Sequence, residues 1–303
     1  MTSPSIQLAT FHRKTFMATK TALITGASSG IGEATAHQLM QQGYTVYAAA
    51  RRVERMADLV KAGAHALQLD VTDDASMRAA VTRVMDETGR IDVLVNNAGY
   101  GSFGALEDVS IAEARTQFDV NIFGLARLTQ LALPHMREQR DGYIINISSV
   151  GGKIWEPLGS WYHATKFAVE GLSNSLRVEV ARFGVKVVVI EPGLIRTEWS
   201  GIAADHLEAA SEGSAYGDQA AAIARSLRGA NGQSLASDPQ VVAAAIGKAV
   251  ASSRPRTRYA VGGGAGFILF LQRMLTDRGF DRFIERALGS GQTKSRESQF
   301  SGR

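Results

Sequence analysis

The chain of 303 residues is predicted to form one α/β domain, with a doubly wound parallel sheet and a C-terminal helical extension. Three observations favour this fold class. Apolar segments and segments of helical periodicity alternate without a break from about Thr21 to about Ala260. The apolar segments are nearly continuous, which is typical of parallel strands that are covered by helices on both faces. A glycine-rich turn follows the first of them, at the sheet edge where this architecture binds ligands.

The bounds of the predicted elements come from periodicity and from glycine and proline punctuation. Strands are predicted at Thr21–Thr25, Tyr44–Ala50, Ala64–Leu69, Ile91–Val95, Tyr143–Ile147 and Val185–Ile190. Helices are predicted at Ile31–Gln42, then up to Lys61, and at Ser76–Thr88, Ile111–Arg140 and Ser160–Phe183. We expect Pro134 to interrupt the long fourth helix, because proline removes a helical hydrogen bond.

Residues 19–290 are predicted to form the domain, between a disordered extension (1–18) and a disordered polar tail (291–303). A transit peptide is an alternative for the extension, which holds no acidic residue. Residues 198–238 break the alternation, and either a substrate lid or an ordinary pair of surface helices fits them. The apolar stretch Gly262–Leu288 is expected to dock on the core or on a second copy, with a membrane-surface helix as the alternative.

Composition excludes several function classes. The formal net charge is +4, from 33 basic and 29 acidic residues, which argues against a nucleic-acid groove. The absence of cysteine excludes disulfides and fits a reducing, cytoplasmic compartment. No apolar run reaches the roughly 20 residues of a membrane span. The six histidines show no metal-ligand spacing, so no metal is expected.

The glycine-rich turn lies where the first strand passes into the first helix. Gly26 permits a tight turn, Gly30 lets the backbone approach a pyrophosphate, and Gly32 lets the helix pack closely on the sheet. The helix N-terminus adds unpaired N–H groups for phosphates. The residues expected to hold the dinucleotide here are Gly26, Ser28, Ser29, Gly30, Ile31 and Gly32.

The same turn also satisfies G-x-S-x-G, the nucleophile elbow of α/β-hydrolases. In that alternative Ser28 is the nucleophile of a serine hydrolase, and His206 is available for the triad.

The end of the second strand predicts the cofactor. NAD enzymes of this topology usually present an acidic residue there to the ribose, but this chain has Arg51 and Arg52. Arginine pairs with phosphate oxygens bidentately, so we expect NADP (NADPH), with its 2′-phosphate on these two residues. Asp70 and Val71 are expected to flank the adenine, although Asp70 could equally cap the following helix.

A tyrosine and a lysine lie one helical turn apart near the start of the fifth long helix. Tyr162 and Lys166 share a face because residues four apart are neighbours on a helix. A nearby ammonium lowers the pKa of a phenol, which suits Tyr162 to general acid/base work on a ketone or an alcohol. Ser148 and Ser149 end the preceding strand, where a hydroxyl could hold the reacting oxygen.

Together these motifs resemble the short-chain dehydrogenase/reductase family, in its single-domain Rossmann branch. The motifs in order are Thr25-Gly-x-x-x-Gly30-x-Gly32, Asp70, Asn96-Asn-Ala-Gly99, Asn121, Ser149, Tyr162-x-x-x-Lys166 and Pro192-Gly193 with Thr197. The resemblance implies that Tyr162 is the acid/base, that Lys166 lowers its pKa and holds the nicotinamide ribose, and that Ser149 polarises the substrate oxygen.

The resemblance also implies roles for residues that the other arguments leave unassigned. Asn121 would hold a kink and a water of the proton relay. Asn97, Ala98 and Gly99 would line the adenosine side of the cofactor. The nicotinamide would be bordered by Pro192, Gly193, Ile195 and Thr197. A homodimer or homotetramer built on Ile111–Arg140 and Ser160–Phe183 is expected.

The long segment after Thr197 and the extension beyond Ala260 are similar to the hydroxysteroid and retinol dehydrogenase-like group. That similarity favours an apolar substrate such as a steroid-, retinoid- or lipid-like ketone or alcohol. Aromatic residues near the expected cleft fit such a substrate, although each could equally be a packing residue. They are Tyr100, Phe103, Trp155, Trp161 and Trp199. A non-catalytic NADP(H)-binding regulator is a further alternative.

Overall fold

The computed structural model describes residues 19–230 and 235–288. They form a parallel sheet of seven strands in the order β3-β2-β1-β4-β5-β6-β7. The doubly wound architecture is therefore confirmed. The strands are β1 (Thr21–Thr25), β2 (Thr45–Ala50), β3 (His65–Gln68), β4 (Val93–Asn96), β5 (Gly142–Ile147), β6 (Val185–Pro192) and β7 (Arg258–Val261).

Helices cover both faces of this sheet. The first six are α1 (Gly30–Gln41), α2 (Ala57–Lys61), α3 (Asp74–Thr88), α4 (Ile111–Phe118), α5 (Leu125–Gln139) and α6 (Ser160–Val180). The remaining ones are α7 (Trp199–Ala210), α8 (Gly217–Ala230), α9 (Pro239–Val250), α10 (Ala265–Met274) and α11 (Asp277–Ala287). α1, α2 and α9 enclose one buried cluster against the sheet, while α3, α5 and α6 enclose the other.

The long fourth helix differs from its prediction. Pro134 does not interrupt it, since α5 runs straight through this residue. Pro134 has no backbone N–H, so the Gln130 carbonyl lacks its usual helical hydrogen bond. Both residues are exposed, so water can bind this carbonyl oxygen instead. The irregularity is a π-helical turn at Asp119–Gly124 instead. Gly124 packs there on Val71, and an added Cβ would lie 2.5 Å from the Val71 carbonyl oxygen.

The segment after β6 forms two helices, which both predicted alternatives allow. α7 and α8 pack against each other and close over the carboxyl edge of the sheet through an apolar cluster. α10 and α11 form the C-terminal extension, and Phe280 and Ile284 of α11 are buried against Ile154. No helix in the described part of the chain has the length and apolarity to cross a bilayer. The predicted disordered ends, 1–18 and 291–303, lie outside the described residues.

Candidate active site

The backbone of the glycine-rich turn has a geometry that lets a ligand approach it closely. Gly26 and Gly30 have φ angles of +64° and +57°, in the left-handed region that side chains disfavour. An added Cβ on Gly32 would lie 2.3 Å from the Gly26 carbonyl oxygen, so α1 begins directly against the turn. Ser29 is the N-cap residue, and its side chain makes no capping hydrogen bond. The first turn of α1 therefore offers backbone N–H groups to an anion; Ile31 belongs to this turn, and Ser28 precedes its N-cap.

The end of β4 is tied to this turn. The Asn97 side-chain amide donates to the carbonyls of Thr25, at 2.9 Å, and of Gly26, at 3.1 Å. The Thr25 hydroxyl accepts from the backbone N–H groups of Asn97 and Ala98, at 3.0 and 2.9 Å. Asn97 thus holds the glycine turn with its side chain. Its expected place beside the adenosine, with Ala98 and Gly99, stays a prediction.

The residues after β2 and β3 lie on the same edge. Arg51 and Arg52 are exposed beside it. Burial raises the pKa of Asp70, but hydrogen bonds from Thr72 and the charge of Arg51 outweigh it, and the pKa falls below its ordinary value. Asp70 does not cap α3, because Asp73 is its N-cap and accepts from the Ala75 N–H. Asp70 is therefore ionised at this edge.

Tyr162 and Ser149 meet at the carboxyl ends of β5 and β6. The Ser149 hydroxyl lies near the Tyr162 hydroxyl, whose pKa it lowers, and its oxygen accepts from the Gly151 N–H at 3.0 Å. Lys166 donates to the Ile147 carbonyl at 3.0 Å, and its Nζ lies 5.9 Å from the centre of the Tyr162 ring. Two hydroxyls and one amino group therefore share a small volume.

The electrostatics of Tyr162 differ from the sequence prediction. Burial raises the pKa of Tyr162 to about 12, and the hydrogen bond from Ser149 only partly opposes it. Burial also lowers the pKa of Lys166 to about 8, against the charge of Glu170. The Lys166 ammonium thus does not offset the burial of this phenol, because removing both groups from water disfavours both charged forms. At neutral pH Tyr162 is a proton donor.

Asn121 sits in the π-helical turn and joins two segments of the site. Its side-chain amide donates to the Tyr100 carbonyl at 2.9 Å and to the Thr165 hydroxyl at 3.1 Å. Its side-chain oxygen accepts from the Tyr100 N–H at 3.1 Å. The loop after β4 is thereby fixed to α6 beside Tyr162.

The segment after β6 approaches both parts of the site. An added Cβ on Gly193 would lie 2.3 Å from the Gly263 carbonyl oxygen, which fixes the path of the chain after Pro192. Ile195 packs against the core, and an added Cβ on Gly30 would lie 3.0 Å from the Thr197 methyl group. The chain thus reaches from β6 to the glycine turn.

Aromatic side chains enclose Tyr162, which is 7% exposed. The ring centres of Phe103 and Trp199 each lie 5.2 Å from that of Tyr162. Leu158 of the loop before α6 and Ile223 of α8 belong to the same apolar cluster. The reacting edge is therefore covered by apolar groups.

The other three aromatic candidates lie in different surroundings. Trp155 packs on Phe280 and donates to Asp281, whereas Trp161 contacts Phe118. Tyr100 donates to Glu113 at 3.0 Å. None of these contacts is with Tyr162.

Sequence reasoning missed two residues here. Thr25 anchors the end of β4, and a hydroxyl at the last position of a buried strand is its only signal. Glu170 continues the face of Tyr162 and Lys166 by one more turn, and it is 3% exposed. A charge at a buried helical position is a signal that could have found it.

A short chain dehydrogenase family model matches residues 20–207. Among curated relatives, a 3-ketodihydrosphingosine reductase from Bacteroides thetaiotaomicron is 40% identical over 241 residues, which are 79% of this chain and 87% of that protein. Retinol dehydrogenase 8 from Bos taurus is 37% identical over 258 residues, 80% of this chain and 81% of that protein. The predicted likeness to the retinol dehydrogenase-like group is confirmed.

Solved structures agree with these relatives. A short-chain dehydrogenase from Streptomyces avermitilis has a TM-score of 0.75 and 37% identity, and the match covers 90% of this chain and 99% of that one. A metagenomic short-chain oxidoreductase in complex with NADP has a TM-score of 0.63 and 29% identity, covering 80% of this chain and 96% of that one.

Proposed function

The chain belongs to the short-chain dehydrogenase family of oxidoreductases, and from this premise we propose a specific reaction. It transfers a hydride between NADP(H) and a carbonyl or secondary-alcohol carbon, with Tyr162 as the general acid/base. The observation that carries the proposal is that Tyr162, Ser149 and Lys166 come together at the carboxyl ends of β5 and β6. Membership in this family argues against the hydrolase alternative, and His206 contacts the ring of Tyr100 instead of completing a triad with Ser28.

The direction favoured at neutral pH is reduction. When bound, NADPH supplies the hydride to the carbonyl carbon. Tyr162 gives its proton to the carbonyl oxygen, because a phenol whose pKa is raised to about 12 is fully protonated. Ser149 holds that oxygen, and the Lys166 ammonium stabilises the phenolate that remains until a proton returns.

The glycine turn fits a dinucleotide. The cradle formed by Gly26, Gly30 and Gly32 excludes side chains from the start of α1, so a pyrophosphate can contact backbone N–H groups. Arg51 and Arg52 are exposed on the same edge, where their guanidinium groups would bind a 2′-phosphate. The NADP complex of the metagenomic relative supports this choice of cofactor.

The substrate is proposed to be an apolar ketone or alcohol. The cluster of Phe103, Leu158 and Ile223 around Tyr162 favours hydrocarbon over charged groups. The names of the two curated relatives, a ketosphingoid reductase and a retinol dehydrogenase, point to lipid-like substrates.

A substrate panel tests this proposal. Aliphatic, steroid, retinoid and small charged ketones are incubated with the enzyme and NADPH or NADH, and cofactor oxidation is followed by absorbance. We expect turnover of apolar ketones with NADPH. Turnover only of small charged ketones would refute the substrate class, and equal rates with NADH would refute the cofactor choice.

α7 and α8 are proposed to act as a substrate lid. They cover Tyr162 through Trp199 and the apolar cluster, so a substrate reaches the hydroxyl only when they move. A disulfide tests this, formed between cysteines introduced at Asp108 of the loop after β4 and at Ser214 between α7 and α8, whose side chains hydrogen-bond to each other. Oxidation of this pair should block turnover while NADPH binding persists, whereas unchanged turnover would refute a moving lid.

A homo-oligomer built on α4–α5 and α6 is also proposed. Phe123 of the π-helical turn is 60% exposed, and Phe167 and Val178 of α6 are 45% and 73% exposed. Large apolar side chains on helices of one domain commonly mark a contact with another copy.

A further inference from the structure

Two buried carboxyl groups lie near the site, outside the proton-transfer pair. Glu170 is one turn after Lys166 on α6, and Glu191 is on β6 next to Pro192. Each residue is 3% exposed. Oε2 of Glu170 and Oε1 of Glu191 both lie beside the Arg258 Nε, at 3.0 and 3.2 Å, so the two carboxyls are neighbours. A hydrogen bond between them needs a proton, because two carboxylate oxygens are both acceptors.

The cations around the pair are unequally distributed. Arg258 of β7 donates twice to Oε2 of Glu170, at 3.0 Å each, and Lys153 lies 3.1 Å from the same oxygen. Glu191 has a single cationic neighbour at similar distance, the Arg258 Nε at 3.2 Å. The negative charge is therefore best placed on Glu170 and the proton on Glu191.

Unpaired oxygens support a shared proton. Oε1 of Glu170 is buried without a hydrogen-bond partner, and Oε1 of Glu191 has none besides its ionic contact with Arg258. A proton on one carboxyl makes it a hydrogen-bond donor to an oxygen of the other carboxyl. Burial, followed by the charge of Glu170, raises the pKa of Glu191 to about 7.

We propose that Glu170 and Glu191 share one proton and one negative charge, and that this charge keeps Lys166 in its ammonium form. Glu170 is the member that acts on Lys166, because residues four apart on a helix are neighbours. Its charge opposes the effect of burial, which lowers the pKa of Lys166. Glu191 is thus a positioning residue that supplies the proton, and Glu170 one that supplies the charge.

The other charged groups facing the pair fit this arrangement. Lys153, Arg258 and Arg273 line a cleft of about 470 Å³ that reaches Glu191 from the surface. Their positive charges balance part of the charge of Glu170, and the part that remains raises the pKa of Lys166 against the effect of burial.

Lysine titration by NMR in the cofactor-free protein tests the proposal. The carbon next to the amino group is labelled in all lysines, and the Lys166 signal is assigned with Lys166→Arg. In Glu170→Gln the titration midpoint of Lys166 should fall by about one pH unit, from loss of a charge one helical turn away. In Glu191→Gln the midpoint should stay, because the amide donates to Glu170 as the protonated carboxyl does. Glu179→Gln, on the exposed side of α6, is the matched control.

The outcomes separate the alternatives. Equal decreases in Glu170→Gln and Glu191→Gln would show two negative charges and overturn the shared proton. No decrease in Glu170→Gln would overturn its action on Lys166. If Glu170→Gln does not fold, infrared difference spectra of wild type and Glu191→Gln at about pH 6 decide, since ordinary carboxyls are ionised there. A protonated-carboxyl band lost in the variant supports the pair, and its absence refutes it.

The inference concerns the reaction through the proposed function of Lys166. These measurements use neither substrate nor cofactor, so they stand or fail independently of the proposed activity. If both hold, the pH profile of ketone reduction should shift with the Lys166 midpoint in Glu170→Gln and stay in Glu191→Gln.

Discussion

Replacing Gly32 with alanine should break the cofactor turn. The added Cβ would lie 2.3 Å from the Gly26 carbonyl oxygen and 2.6 Å from the Asn97 side-chain nitrogen. Both neighbours must move, and the two hydrogen bonds from Asn97 to Thr25 and Gly26 are lost at about 1 kcal/mol each. Overpacking adds about 1–3 kcal/mol, and the better helix propensity of alanine returns about 1 kcal/mol. The expected net loss of stability is about 2–4 kcal/mol.

Urea unfolding and NADPH fluorescence titration measure the two consequences. Gly171→Ala is the matched control, because Gly171 lies within α6 and an added Cβ meets nothing within 4 Å. The control should gain about 1 kcal/mol and bind NADPH as the wild type does. Gly32→Ala should lose both stability and NADPH affinity. Wild-type stability and affinity in Gly32→Ala would refute the role of the turn.

Three further changes have defined outcomes. Arg51→Ala combined with Arg52→Ala should weaken NADPH binding by about 100-fold and leave NADH binding little altered, as isothermal titration would show; equal losses would refute phosphate recognition. At neutral pH Lys166→Met should be about 2 kcal/mol more stable than the wild type. Burial lowers the pKa of this lysine from 10.5 to about 8, and the lost hydrogen bond to the Ile147 carbonyl offsets part of the gain in stability. The unfolded chain keeps the lysine proton up to higher pH, so the stability of the wild type rises between these two pKa values. In urea unfolding, the difference in stability between variant and wild type should therefore disappear near the upper pKa. A difference that stays constant with pH would contradict this explanation. Phe123→Arg, with the exposed Phe167→Ser as a companion, should yield monomers in light scattering if the proposed oligomer forms through these helices, and an unchanged mass would refute that interface.

The sequence predicted the strands and the glycine turn well, because both depend on local patterns. β7 escaped prediction as a strand, since Arg258–Val261 is a short, half-exposed edge segment without alternation. Periodicity did not predict the π-helical turn, whereas the resemblance implied a kink at Asn121, which lies within it. The contact of this turn between Gly124 and Val71 joins residues far apart in the chain, so no local pattern shows it. Pro134 predicted an interruption of the long fourth helix at its own position, which was wrong, because the irregularity lies at Asp119–Gly124.

The candidate site was predictable in its residue types and not in its electrostatics. The spacing of Tyr162 and Lys166 places them on one face, as expected from a helix. Burial under Phe103 and Trp199 raises the pKa of Tyr162, and burial lowers that of Lys166. The two aromatic residues come from other segments of the chain, so no local pattern predicts this burial. The Asn97 side chain likewise serves the turn, because Thr25 and Gly26 present carbonyls to it only in the folded sheet.

Tyr162→Phe is the measurement on which the proposed reaction depends. It removes only the hydroxyl, and the buried Tyr143→Phe on β5 is the matched control. With an apolar ketone and NADPH, Tyr162→Phe should lose turnover by about 1,000-fold while the NADPH dissociation constant stays within about threefold. Tyr143→Phe should keep both. Wild-type turnover in Tyr162→Phe would contradict the assignment, and a wild-type protein that binds NADPH but reduces no ketone would instead be a regulator.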